Sequence, residues 1–92
     1  MPLTITFKPT GMSSDRYDEC IRRLEAAGAG APSGRLFHTC YGPKNNLHVV
    51  DIWASQEAFD SFGAVLMPIL GSLGIDPGQP DVQPQHNSIT GK

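Results

Sequence analysis

LHVVDIWASQEAFDSFGAVLMPILGSL, residues 47–73, decides the fold. Leu47–Trp53 is dense in β-branched and aromatic residues, the composition of a strand that sees little water. Ser55 then stands where its hydroxyl can accept a hydrogen bond from a first-turn N–H, which predicts a helix N-cap. Beyond it Ala58, Phe59, Phe62, Leu66, Ile69, Leu70 and Leu73 recur at three- and four-residue spacing, an apolar stripe along one side of a helix. Pro68 lies inside that helix, where its missing N–H predicts a kink or a shifted last turn. Gly74 suits the left-handed position after the helix, with Ile75 folding back onto it.

Upstream, Arg35–Tyr41 is a second β-rich run, joined to the first through the turn Gly42-Pro43-Lys44-Asn45-Asn46, and the pair reads as a hairpin. Two registers compete. Gly42 opposite Leu47 sets His38 against Asp51; Tyr41 opposite Leu47 puts Val50 there instead. The first is preferred, because it gives the apolar-flanked Asp51 a partner. Leu3–Lys8 alternates apolar and polar, a half-buried strand with Leu3, Ile5 and Phe7 on one face. Ser14 is the expected cap of a helix running to about Ala27, with Tyr17, Cys20, Ile21 and Leu24 facing inward and Asp18–Arg22 and Glu19–Arg23 paired outside. Gly28 ends it, and AGAGAPSG (27–34) is a loose connection without the Lys-Ser/Thr ending of a phosphate loop. A last strand is expected near Val82–Ile89, at an edge or bulged, because Pro84 cannot donate to a ladder.

The order β-α-β-β-α-β within one domain, residues 1–92, predicts an α+β, ferredoxin-like fold with a four-stranded antiparallel sheet and two helices on one face. Neither alternate set of the third strand is polar: Leu47, Val49, Asp51 and Trp53 form one, His48, Val50 and Ile52 the other. Helices cover only one face, so the other predicts a two-fold homodimer with sheet against sheet. Charged residues are 17% of the chain, and a surface so poor in charge favours the same outcome. A net charge of −2 without a basic cluster argues against nucleic acid. No apolar run reaches membrane-spanning length and no leader pattern opens the chain, so no membrane association and a cytoplasmic address are expected. Cys20 and Cys40 fit no metal spacing and read as buried, reduced thiols.

WASQEAFDSF (53–62), directly after an apolar strand, resembles the strand-to-helix junction of the dimeric α+β barrel superfamily, in the style of its antibiotic-biosynthesis-monooxygenase-like members. The element order, the short length and the late pair His86-Asn87 extend the likeness. It implies a homodimer whose two sheets form a barrel, with pockets between each sheet and its helices for a small apolar or aromatic ligand. The haem-degrading branch is set aside: Phe62 stands where its Trp belongs, no His follows on that helix, and the first strand has no Asn. A cofactor-independent oxygenase or isomerase instead needs a base and aromatic walls.

His38 is the favoured base, because a carboxylate across the hairpin, Asp51, would fix its tautomer, and the two form the expected catalytic pair. Phe59 and Phe62 are expected to wall a pocket made roomy by Gly63 and Ala64, with Tyr41 and Trp53 as further walls and His86 and Asn87 at its rim. No cofactor and no metal are expected, and no hydrolase motif occurs. The competing reading is a non-catalytic ligand-binding or structural homodimer.

Overall fold

The computed structural model describes residues 1–91. Its elements are β1 (Leu3–Phe7), α1 (Ser14–Ala26), β2 (Arg35–Tyr41), β3 (His48–Trp53), α2 (Gln56–Ser72) and β4 (Asp81–Pro84). They form a four-stranded sheet in the order β2-β3-β1-β4, every pair antiparallel. This is the ferredoxin-like α+β fold that the pattern predicts.

Pleating divides the sheet into two faces. Ile5 and Phe7 of β1 and Val49, Asp51 and Trp53 of β3 are buried beneath the helices, while Val50 and Ile52 point to the other side and are only partly covered. Ile5 and Trp53 are wholly excluded from water. From above, α1 contributes Cys20 and Leu24, and α2 contributes Phe59, Phe62 and Leu70. Trp53 meets Phe59 edge-on at 5.7 Å and Phe62 at 5.3 Å between ring centres. Such aromatic contacts add to the area they bury.

Local chemistry sets the helix ends. Ser55 caps α2, its Oγ accepting from Ala58 N–H at 3.1 Å. For α1 the cap is Ser13 rather than Ser14: Ser13 keeps extended backbone and accepts from Arg16 N–H at 3.3 Å, while Ser14 is already helical. Both helices close the same way. Gly74 sits at φ 70°, and Ile75 N–H returns to the Leu70 carbonyl at 3.0 Å. Gly28 sits at φ 76°, and Ala29 N–H returns to Leu24 at 2.8 Å. Each is the 6→1 bond of a Schellman motif, and Gly takes the left-handed position without a Cβ clash. α2 continues through Pro68 to Ser72.

Two other expectations change. Arg22 pairs with Glu19 at i,i+3 instead of with Asp18, and Arg23 also binds Glu19, at 2.8 Å. Hydrogen bonds from these two guanidiniums hold the Glu19 carboxyl down to about 2. The last strand is four residues long and stops at Pro84. It is the edge strand expected, but its pairing with β1 runs out where Pro84 meets Leu3. Of the two thiols Cys20 is buried and Cys40 only half-buried, and neither is in a disulfide. No helix among the described residues is long and apolar enough to cross a membrane.

Replacing Ile5 by Ala, at a fully buried position in the central strand β1, should cost about 2–5 kcal/mol through lost burial and the cavity left behind. For a domain of this size that lowers Tm by roughly 10 °C or more. Thermal unfolding followed by circular dichroism checks it; a shift of only a few degrees would mean that the site collapses around the smaller side chain.

Candidate functional site

β2 and β3 pair with Tyr41 opposite His48 and His38 opposite Asp51. This is the preferred hairpin register, and it leaves His38 and Asp51 on the helix-covered face. Asp51 is 3% exposed. Its Oδ1 lies 2.5 Å from His38 Nδ1, and its Oδ2 accepts from Trp53 Nε1–H at 3.2 Å. On the far side of the imidazole, Tyr17 Oη is 2.6 Å from Nε2. The Tyr17 and His38 rings lie nearly parallel, 5° apart, with centres 6.0 Å from each other.

With a neutral imidazole, one proton assignment satisfies the whole chain. An ionised Asp51 accepts only, so Nδ1 carries the hydrogen that it receives; Nε2 then holds a lone pair, and the Tyr17 hydroxyl donates to it. Burial first, then the neighbouring Cys40, pushes the Tyr17 phenol up to about 12, with Arg35 pulling the other way. Tyr17 is therefore a neutral donor across the physiological range. Burial also pushes the Cys20 and Cys40 thiols up, which makes them poor nucleophiles.

The chain borders a cavity of about 60 Å³ between the sheet and both helices. Its walls are mostly apolar, among them Met12, Ile21, Phe62 and Leu66, and its polar lining comes from Tyr17, Arg35, His38 and Asp51. Volume for water-sized groups runs at about 10–15 Å³ each, so the space admits only the edge of a ring. A second, open groove of about 550 Å³ lies between the 28–33 connection and the first half of α2.

Arg35 reaches the cavity through an irregularity. β2 pairs Arg35 with Trp53 but Phe37 with Ile52, so Leu36 is an extra residue in the strand. Without that bulge, positions 35 and 38 would point to opposite faces. With it, Arg35 and His38 share the helix side. The guanidinium lies 5.5 Å from the centre of the Phe62 ring and donates to Gly30 O at 3.2 Å.

The expected site residues divide accordingly. His38, Asp51 and Phe62 come together at the cavity. Trp53 and Phe59 are core, and the indole contributes by holding Asp51 rather than as a wall. Tyr41 is on the opposite face of the sheet, 44% exposed, its ring edge-on to His48 at 5.9 Å. His86 and Asn87 follow β4 in an exposed segment without regular structure and do not reach the cavity. Nor do Gly63 and Ala64 make its space: nothing lies within 4 Å of a Cβ placed on Gly63, and Ala64 faces solvent. The reading from sequence missed Tyr17 and Arg35. For Tyr17 a signal existed, since a phenol in an otherwise apolar helix stripe needs a buried partner for its hydroxyl. No group of three or more His, Cys, Asp or Glu side chains among the described residues could hold a metal ion.

No family model matches this chain, and no curated protein is similar to it in sequence. Solved structures are similar in fold. SnoaB from Streptomyces nogalater, a cofactor-independent oxygenase, superposes with a TM-score of 0.70 over 96% of both chains at 16% identity. An antibiotic-biosynthesis-monooxygenase-like protein from Chloroflexus aurantiacus J-10-fl gives 0.67 over 98% of both at 10% identity. One from Deinococcus radiodurans gives 0.63 over 100% of this chain and 99% of that one, also at 10% identity. The fold is that of the antibiotic-biosynthesis-monooxygenase-like proteins.

The raised Tyr17 phenol has a consequence for stability. A folded-state value of about 12 against the ordinary 10.0 stabilises the protein fully below pH 10, and the contribution is lost as pH rises toward 12. Urea midpoints measured across this window should fall more steeply for the wild type than for Tyr17→Phe. Parallel curves would show that the phenol ionises as readily folded as unfolded.

Proposed function

We propose that the protein is a cytoplasmic, homodimeric, cofactor-independent enzyme, an oxygenase or isomerase, that removes a proton from a small aromatic or polyketide-like substrate. The observation that carries this reading is the Tyr17–His38–Asp51 chain at the edge of an apolar cavity. Asp51 fixes the imidazole with Nε2 as acceptor, and an imidazolium formed there would lie 2.5 Å from a carboxylate that stabilises it. This is the arrangement a general base requires. Proton removal from a quinol-like ring leaves an electron-rich anion, and an anion of that kind can transfer electrons to dioxygen without a cofactor. The likeness to SnoaB supports this chemistry over hydrolysis or metal catalysis.

The dimer rests on the uncovered sheet face. Phe37 is 49% and Tyr41 44% exposed there, beside the partly covered Val50 and Ile52. Burying such side chains gains roughly 1.5–3 kcal/mol each, which favours a second copy packed sheet to sheet. Sedimentation at micromolar concentration should give a dimer, and Ile52→Asp a monomer. A wild type that sediments as a monomer and still melts cooperatively would remove this part of the proposal.

A second reading is favoured by the cavity itself. At about 60 Å³ it is too small for a fused-ring polyketide, and Tyr17, His38 and Asp51 satisfy one another. On that reading the chain of hydrogen bonds is structural and the dimer is a non-catalytic ligand-binding or structural protein. His38→Gln separates the two, since an amide can still donate to Asp51 but cannot act as a base. For the enzyme, oxygen uptake with a quinol substrate should fall at least a hundredfold, within the range of a lost general base, while Tm moves by only a few degrees. If Tm drops sharply and no quinol raises the melting point of the wild type, the structural reading stands.

A further inference from the structure

Arg35 is a cation on the rim of a cavity whose other charge, Asp51, is already engaged by His38 and Trp53. Among the described residues Arg35 has no salt bridge, and its one hydrogen bond is to the Gly30 carbonyl. The Leu36 bulge turns it onto the face of His38, and the Phe62 ring beneath the guanidinium limits its freedom. A fork of N–H donors thus lines the same cavity as Tyr17, with most of its capacity unused.

We propose that Arg35 is an anion-binding residue and that the ligand, on the proton-abstraction reading above, is a weakly acidic aromatic hydroxyl compound bound as its oxyanion between Arg35 and Tyr17. Tyr17 Oη fills the acceptor position of His38, so a ligand hydroxyl reaches the base through the phenol. The ligand O–H passes its proton to Tyr17 Oη as the Tyr17 proton passes to His38 Nε2. The ligand is left as an oxyanion, Tyr17 is again a neutral phenol, and His38 is an imidazolium against Asp51. No electrons leave the ligand in this step. Each negative group then faces one positive group: Asp51 the imidazolium, the ligand oxyanion Arg35. A cavity of about 60 Å³ accepts the hydroxyl-bearing edge of a single ring, with any remaining substituents outside.

The probe is 4-nitrophenol, whose absorbance distinguishes phenol from phenolate, with nitrobenzene as the control that lacks the hydroxyl. The intact protein should bind 4-nitrophenol as the yellow phenolate. Arg35→Gln should weaken that binding at least tenfold, and Arg35→Lys, which restores the charge without the fork, should recover part of it. Nitrobenzene should bind wild type and Arg35→Gln alike, which shows that the cavity has not collapsed. Tyr17→Phe should bind the phenolate less tightly than wild type, because one of the two groups that hold the oxyanion is lost. The proposal is overturned if Arg35→Gln binds 4-nitrophenol as tightly as wild type, if wild type binds it only as the neutral phenol, or if wild type does not bind it at all. Retained affinity in Arg35→Gln together with lost oxygen uptake in His38→Gln would discard the anion site and leave the base. Lost affinity in Arg35→Gln with uptake intact in His38→Gln would discard the base and leave the anion site.

Discussion

A carboxylate that is 3% exposed must be held by donors that stay in place, because burying an unpaired charge costs far more than burying a paired one. Asp51 meets that demand with His38 Nδ1–H and Trp53 Nε1–H, and three elements are bound by the solution. β3 must present positions 51 and 53 on one face, which its pleat does automatically. β2 must run with His38 opposite Asp51. α1 must then lie where Tyr17 can close the open nitrogen of the imidazole. Slipping the hairpin by one residue would set Val50 against His38 and leave the carboxylate with the indole alone. A lost partner for a buried charged group costs at least about 1–3 kcal/mol. The register is therefore specified twice, by the apolar pattern and by the one charged side chain buried among the described residues.

The same pleat keeps the cavity apart from the face proposed to receive a second copy. Residues that approach the cavity, Arg35, His38, Val49 and Asp51, lie on the helix side, while Phe37, Val50 and Ile52 lie on the other. A second copy packed on the open face would add nothing to the cavity and block nothing in it. The bulge at Leu36 is the one place where this separation is adjusted. It moves Arg35 from the face its position in the alternation would give it to the face where a charge has chemical meaning. Bulges next to sites commonly re-aim a side chain in this way.

How much could be read beforehand follows from which features are periodic. Strand and helix positions follow from spacing, so β2, α2 and the hairpin register stand in the sequence, the last because Asp51 lacks any other partner. Both Schellman closures are foreshadowed by Gly28 and Gly74. The bulge is not periodic and carries no Gly or Pro marker, so Arg35 reads as an ordinary strand-start residue. Tyr17 fell into an apolar stripe whose spacing it satisfies, and spacing alone cannot say what its hydroxyl meets. A last strand running on to Ile89 would carry His86 and Asn87 along the sheet, but β4 ends at Pro84, which withholds the N–H that the ladder would need next. Phe59 and Trp53 face inward as expected; inward simply means core there, because Phe7, Phe59 and Trp53 fill the space among themselves.

On the proposed reading, Tyr17 also determines what kind of chemistry the hydrogen-bonded chain supports. A histidine whose acceptor nitrogen is open can take a proton from carbon or oxygen directly. Here that nitrogen is 2.6 Å from a phenolic oxygen, so a donor approaching from the cavity meets a hydroxyl first. A phenol that burial keeps neutral up to about pH 12 is a poor resting place for negative charge but a good relay, since it can accept at one lone pair while donating its hydrogen. Relay through oxygen suits substrates whose acidic proton is itself on oxygen, where transfer along hydrogen bonds is fast. For abstraction directly from carbon, Tyr17 would first have to swing away from His38, breaking the bond that now satisfies both groups in a part-buried site. That cost falls on only one of the two substrate types, and the geometry accordingly favours the hydroxyl acid.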